Sequence, residues 1–151
     1  MSYEIGKILI RQKQYKKAFN IFYKLLENNP NDFKANFHLG KIYYDLNDLN
    51  KCIFYFKKSN KSQPNNPNIL FNLALALQST GKIEEAKKIY LNLISINKKD
   101  IKSYYGLFNL DIKNITNEYY QNLESIFKEN KVSLYEKSLI NFIFSKFAKK
   151  N

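Results

Sequence analysis

The chain has 151 residues, 44% of them hydrophobic, enough for one domain with a continuous core and too many for a disordered composition. Four glycines and three prolines leave few sites for tight turns, which argues against an all-β design and for helices. The formal charge of +12 suggests an anionic partner, but Arg11 is the only arginine, and lysines lack the bidentate fork that reads bases and phosphates, so a solvated lysine surface is favoured over a nucleic-acid face.

The start at Met1 has no basic segment followed by an apolar run, so no signal peptide is expected. The first unit runs to about Pro30. Ile5, Gly6 and Leu9 belong to its first helix, Lys13 to Tyr15 to a turn, and Ala18, Ile21, Phe22, Leu25 and Leu26 share one face of its second helix. Pro30 closes the unit by removing a donor and pushing the residue before it out of the helical region.

The second unit spans 32–65. Asp32 is a plausible N-cap. Leu39, Gly40 and Tyr43 carry its first helix, Asn47 or Asp48 takes a left-handed turn, Cys52, Phe56 and Ser59 carry its second helix, and Pro64 closes it. Cys52 is the only cysteine, which excludes an intramolecular disulfide, allows a reducing compartment, and reads as a buried small residue rather than a nucleophile. The third unit, 66–99, opens on Asn66-Pro67, a cap followed by proline at the first helical position. Leu73, Ala74 and Leu77 precede Gly81, and Ala86, Tyr90 and Leu93 follow it; Lys98 replaces the closing proline.

In the fourth unit Asp100 can cap a helix bearing Tyr104, Leu107 and Phe108. Then Tyr120 stands where Ala18, Cys52 and Ala86 stood, so the next helix, about Asn117 to Asn130, must pack at a different angle. Ser133 and Glu136 form a capping box for a last helix to about Lys149. Its Leu139, Ile140, Phe142, Ile143, Phe144 and Phe147 cover about 200° of circumference. Either it is buried on two sides by the fourth pair, or it docks onto a further domain, a second copy or a partner. No stretch approaches the ~20 apolar residues of a membrane span, and the chain is expected to be cytoplasmic.

The period of about 34 residues is that of helix-turn-helix repeats. Small residues at Gly6, Gly40 and Ala74, and at Ala18, Cys52 and Ala86, let paired helices approach. Large residues fill the space between. One pair cannot bury its apolar faces alone, so pairs must stack.

This pattern of Leu-Gly, Tyr, Ala, Phe or Tyr, Ala and Pro resembles the tetratricopeptide repeat family. Asn36 and Leu70 depart from it where the family favours tryptophan. The resemblance covers residues 1–113: three full repeats (about 1–31, 32–65 and 66–99) and the first helix of a fourth (100–113). Residues 114–151 form a divergent helix and a capping or docking helix. It implies an all-α right-handed superhelical stack of antiparallel pairs, with a concave groove holding an extended peptide or partner helix. At Ser133, Leu139, Phe142 and Ala148 the chain also resembles the helical stretch after the repeats in repeat-bearing sulfotransferase-type proteins. No phosphate-binding loop or transferase domain accompanies it, so no activity is carried over.

Tyr3, Phe37, Phe71 and Tyr105 lie at intervals of 34 at a position that faces the groove in this family. They could form an aromatic floor for a ligand; the alternative is rings that merely pack along the inside. Lys7, Lys34, His38, Lys41, Tyr44, Asn72, Leu75, Gln78 and Asn109, with Ile10, Lys102 and Ile112, surround that stripe. The mixture, cationic at points, predicts an acidic-hydrophobic peptide or protein ligand. The family's chaperone-tail clamp is not matched at Tyr3, Lys7, His38, Asn68 and Asn72, and of the asparagine ladder resembling that of O-GlcNAc transferases only Asn72 is present. His38, the sole histidine, has no partners for metal or catalysis, and Glu84-Glu85 is explained by a helix start. The expectation is a non-enzymatic interaction scaffold without cofactor or metal. The alternative is the recognition or regulatory module of a larger enzyme, a transferase for example, whose catalytic domain is absent from this chain.

Overall fold

The structure, a computed structural model, describes residues 2–111, 113, 116–129 and 131–149. Among the described residues the chain forms nine α-helices and no strand. They fall into two compact units, Met1–Thr80 and Gly81–Asn151.

The first unit contains α1 (Ser2–Arg11), α2 (Tyr15–Asn28), α3 (Phe33–Asp45), α4 (Leu49–Ser62) and α5 (Pro67–Ser79). Each helix packs on the next in chain order, and α1 also touches α3. Glycine sets the spacing within pairs. A Cβ added at Gly6 would lie 2.4 Å from the Phe22 ring, and one at Gly40 would lie 2.6 Å from the Phe56 ring. Hydrogen in place of methyl therefore admits a whole ring between the helices. Ala18, Phe22, Leu39, Ile42 and Cys52 are sealed from solvent as a result.

Capping follows the sequence. The Asp32 carboxylate accepts from the Ala35 N–H and that of Asp48 from the Lys51 N–H. Asn66 accepts from the N–H groups of Asn68 and Ile69, ahead of Pro67. Such caps satisfy donors that the first helical turn leaves unpaired. The first two intrarepeat turns are alike. Lys13 and Asn47 have φ of 56° and 59°, and the next amide donates back to the Leu9 and Tyr43 carbonyls respectively. Gly81 has φ of 75° at the third such position. Where tryptophan is favoured in the repeat, Asn36 is fully buried and its amide donates to the Pro30 and Asp32 carbonyls, tying down the loop between repeats.

The second unit contains α6 (Ile83–Ile96), α7 (Ile101–Leu110), α8 (Asn117–Phe127) and α9 (Leu134–Ala148). Asp100 caps α7 through the Ser103 N–H, Thr116 caps α8, and Ser133 with Glu136 forms the expected capping box of α9. A Cβ at Gly106 would lie 2.5 Å from Tyr90, so here glycine seats the ring of α6 against α7. Tyr104 is buried, and its hydroxyl accepts from the Asn122 amide, which also donates to the Lys98 carbonyl. An ion pair at 2.7 Å joins Lys99 to Glu129.

Tyr120, the large residue in the small-residue position, has a specific partner. Its ring stacks against Phe144 and Phe147 of α9, with centroids 4.6 and 4.8 Å away. Phe142 reaches Tyr105 at 5.5 Å and Phe108 at 6.0 Å on α7. The broad apolar surface of α9 is thus covered in part by α7 and α8, with Ile140 and Ile143 sealed at the centre and Phe142 still 39% exposed. Leu134 and Tyr135, in its first turn, stay exposed. The α8 helix ends at Phe127; Asn130, its expected end, lies outside the described residues, as does Ile112.

Candidate functional site

The first unit holds a cavity of about 390 Å3 lined by Tyr3, Glu4, Lys7, Phe33, Lys34, Phe37, His38, Asn66, Asn68 and Ile69. The first helices of successive repeats build it: α1 contributes Tyr3 and Lys7, α3 contributes Lys34, Phe37 and His38, and α5 contributes Ile69. The period of 34 residues places Tyr3 and Phe37, and likewise Glu4 and His38, at equivalent points of α1 and α3.

Each side chain has a definite setting. The Tyr3 hydroxyl donates to the Asp32 carboxylate, and burial, aided by that carboxylate, pushes its pKa up to about 12. Tyr3 is therefore a neutral donor at physiological pH. The Lys34 ammonium lies 5.6 Å from the Tyr3 ring centroid and 5.8 Å from that of Phe33. Lys7 pairs with Glu4 at 3.0 Å across one helical turn. Phe37 is half-buried, 5.6 Å from Phe56.

His38 differs from the surface side chain expected from the sequence. Its ring is half-buried and stacked on Phe22 at 5.0 Å, and Nδ1 is buried without a hydrogen-bond partner. Burial, with smaller contributions from Lys41 and Lys7, pushes its pKa down to about 4. The imidazole is neutral at pH 7. The i,i+16 approach of Phe22 toward α1 brings this stacking about, and no local signal at His38 reveals it.

Of the residues predicted for the groove, the cavity gathers Tyr3, Lys7, Lys34, Phe37 and His38. Lys41 and Tyr44 are exposed on α3, outside the cavity lining. Phe71, Asn72, Leu75 and Gln78 are half-buried on α5, also outside it, and the Asn72 amide donates to the Asn68 carbonyl. Tyr105 and Asn109 belong to the second unit, where Tyr105 is packed against Phe142 of α9 and Asn109 is exposed. Sequence reasoning did not assign Phe33, Asn66 and Ile69 to the site. They sit at helix starts, where the capping signal was visible and the proximity of neighbouring helix ends was not. A second cavity, about 480 Å3, lies within the second unit among Leu91, Ile94, Lys98, Tyr104, Tyr119 and Asn122 and their neighbours, and contains no predicted residue.

Cys52 is fully buried, and burial pushes its thiol pKa up to about 12, so it is neither thiolate nor accessible. Among the described residues no group of three or more His, Cys, Asp or Glu side chains is placed to hold a metal ion. Among the same residues no helix is long and apolar enough to cross a membrane.

Residues 11–93 match the family described as Anaphase-promoting complex, cyclosome, subunit 3. The TPR repeat-containing protein MJ0263 of Methanocaldococcus jannaschii is 35% identical over 92 residues, 58% of this chain and 29% of that protein. Protein O-mannosyl-transferase TMTC3 of Mus musculus is 27% identical over 105 residues, 68% of this chain and 11% of that protein. The chain thus spans less than a third of either relative. YrrB, described as a TPR protein with an unusual peptide-binding site, superposes with a TM-score of 0.73 at 11% identity, over 99% of this chain and 78% of its own. MamA superposes with a TM-score of 0.72 at 21% identity, over 98% of this chain and 87% of its own. At those identities the likeness is one of fold. The family match covers more than half of the chain and agrees with the glycine-seated helix pairs, so the chain is a tetratricopeptide-repeat protein and belongs to the family described as Anaphase-promoting complex, cyclosome, subunit 3.

Proposed function

We propose that this chain is a non-catalytic protein-interaction scaffold whose first unit binds an acidic-hydrophobic peptide or partner segment. The observation that carries this reading is the cavity between the first helices of successive repeats. Phe33 and Phe37 offer apolar contact there, Lys34 offers a cation and Lys7 a second one shared with Glu4, and the neutral Tyr3 and His38 add no charge. An extended segment with alternating apolar and acidic side chains complements such a surface. The neighbouring Lys41, Tyr44, Phe71, Asn72, Leu75 and Gln78 would extend the site along α3 and α5. In this reading residues 1–113 are the repeats and 114–151 the divergent cap, and the chain works in the cytoplasm.

Titration calorimetry with acidic and basic versions of one hydrophobic peptide tests the proposal. The acidic version should bind at least about tenfold more tightly, and Phe37→Ala should weaken it by a similar factor. Equal or reversed affinity would discard the proposed ligand chemistry.

A second reading, the recognition or regulatory part of a larger enzyme, draws on the match to a protein O-mannosyl-transferase, of which the chain spans 11%. Sequencing the full transcript decides it: a long catalytic domain in the same product favours the second reading.

A further inference from the structure

We propose that the first unit carries a second docking surface, built by α2, α3 and α4 and suited to an acidic protein segment with apolar side chains. Five rings from these three helices form one layer. Phe19 stacks on Tyr23 at 5.6 Å and meets Tyr43 at 5.1 Å. Tyr43 stacks on Tyr55 at 5.4 Å, and Phe54 stands edge-on to Tyr55 at 5.2 Å. The Tyr23 and Tyr43 hydroxyls are hydrogen-bonded at 2.8 Å. None of these rings lines the cavity described above. Phe54 is 55% exposed and Tyr23 is 37% exposed, although each adjoins a packed ring layer.

Charge selects the occupant. The α4 helix carries Lys51, Lys57, Lys58 and Lys61 and no acidic residue, and α2 carries Lys16, Lys17 and Lys24 against Glu27 alone. Asp48, the α4 cap, is already paired with Lys51 at 3.0 Å. Two of the lysines belong directly to the ring layer: the Lys51 ammonium lies 5.2 Å from the Tyr43 centroid and that of Lys58 lies 5.5 Å from Phe54. A single-stranded nucleic acid would need open ring faces on which to stack bases. Here Tyr43 and Tyr55 cover each other and Phe19 covers Tyr23, so Phe54 is left as the most open of the five rings, and one open ring does not make a platform for successive bases. A carboxylate needs only the ammonium groups and the electropositive ring edges. An acidic segment can meet both while its apolar side chains pack against Phe54.

The site is independent of the cavity, so the two can be separated. The probe is a labelled amphipathic peptide of glutamate and leucine, compared by fluorescence anisotropy with its lysine-for-glutamate counterpart and with a uridine 20-mer, on the full chain. Three variants are compared: Phe54→Ala, Lys58→Glu and, for the cavity, Phe37→Ala. Phe54 is 55% exposed, so Phe54→Ala and Lys58→Glu should retain wild-type helicity by circular dichroism, and the same measurement checks Phe37→Ala, whose ring meets the buried Phe56. Because the cavity is assigned the same ligand chemistry, Phe54→Ala and Lys58→Glu are each measured in the Phe37→Ala background, where the acidic peptide should still bind and each added substitution should lower its affinity about tenfold. Equal binding of the lysine counterpart, preference for the uridine oligomer, or no loss from either Phe54→Ala or Lys58→Glu in that background would overturn the proposal.

Discussion

The helix pairs of the first unit and the α8–α9 junction of the second solve the same packing problem in opposite ways. In the first, the helices of a pair are drawn together by an absence: Gly6 and Gly40 have no side chain, and Phe22 and Phe56 fill the space that leaves. In the second, helices α8 and α9 are joined by bulk: Tyr120 occupies the small-residue position and is clasped by Phe144 and Phe147. Regular repetition holds where a small residue meets a large one in register. Once Tyr120 replaces the small residue, the repeat geometry cannot continue, and an added helix covers the rings instead. The regular unit also keeps a cavity among its first helices, whereas in the second unit α9 packs over Tyr105, the equivalent of Tyr3 and Phe37.

The comparison can be broken most directly at Phe56, 1% exposed between its two helices. Phe56→Ala should cost about 3–5 kcal/mol in chemical denaturation, because it empties the space that Gly40 leaves between the two helices. A loss below about 1 kcal/mol would mean that glycine does not set the spacing.

Tyr120→Ala is the sharper test, since it restores the residue type found at Ala18 and Ala86. If position 120 were an ordinary repeat position with a mismatched side chain, alanine would stabilise. Because the ring is clasped by α9, we expect a loss of about 2 kcal/mol instead, with α9 amides losing hydrogen-exchange protection first. A gain in stability would contradict the clasp.

The pH dependence of the first unit should carry a signature of His38. Its folded pKa, about 4, lies below the ordinary 6.5, so the unfolded chain binds the proton more readily. Stability is therefore fully present above about pH 6.5 and declines as the pH falls toward 4, by on the order of 2 kcal/mol. His38→Phe should remove this component from the denaturation-versus-pH curve; an unaltered slope in the variant would show that other groups carry it.

The smallest expected effect is at the turns. Lys13 adopts φ of 56° at the position where the third repeat has Gly81. Lys13→Gly should stabilise by about 0.5–1 kcal/mol by relieving the left-handed backbone. A change of that size in the opposite direction would show that the lysine side chain offsets its strain.

Much of this was legible in the residues. The caps at Asp32, Asn66, Asp100 and Ser133 were readable because each is decided within four residues of chain. The left-handed turn at Asn47 or Asp48 was readable for the same reason, and the structure places it at Asn47. The helix pairs were readable because small and large residues recur at a fixed period. The mismatch at Tyr120 was visible as an irregularity, but its partners were not, since Phe144 and Phe147 lie more than twenty residues away.

What the sequence determined by itself, then, is the periodic part: the caps at Asp32, Asn66 and Asp100, the turns and the apolar faces of the repeats, each set by local hydrogen bonding and side-chain volume, and with them the repeat family. What only the tertiary structure decided is how each face is used. His38 stacks on Phe22 and its burial holds it neutral, Tyr3 and Phe37 share a cavity while Tyr105 packs against Phe142, and five rings of α2, α3 and α4 meet in one layer with lysines beside it. The reason is physical: periodicity specifies direction around a helix axis, but burial, desolvation and ring contact depend on which other helix arrives there, and that is a property of the packed chain.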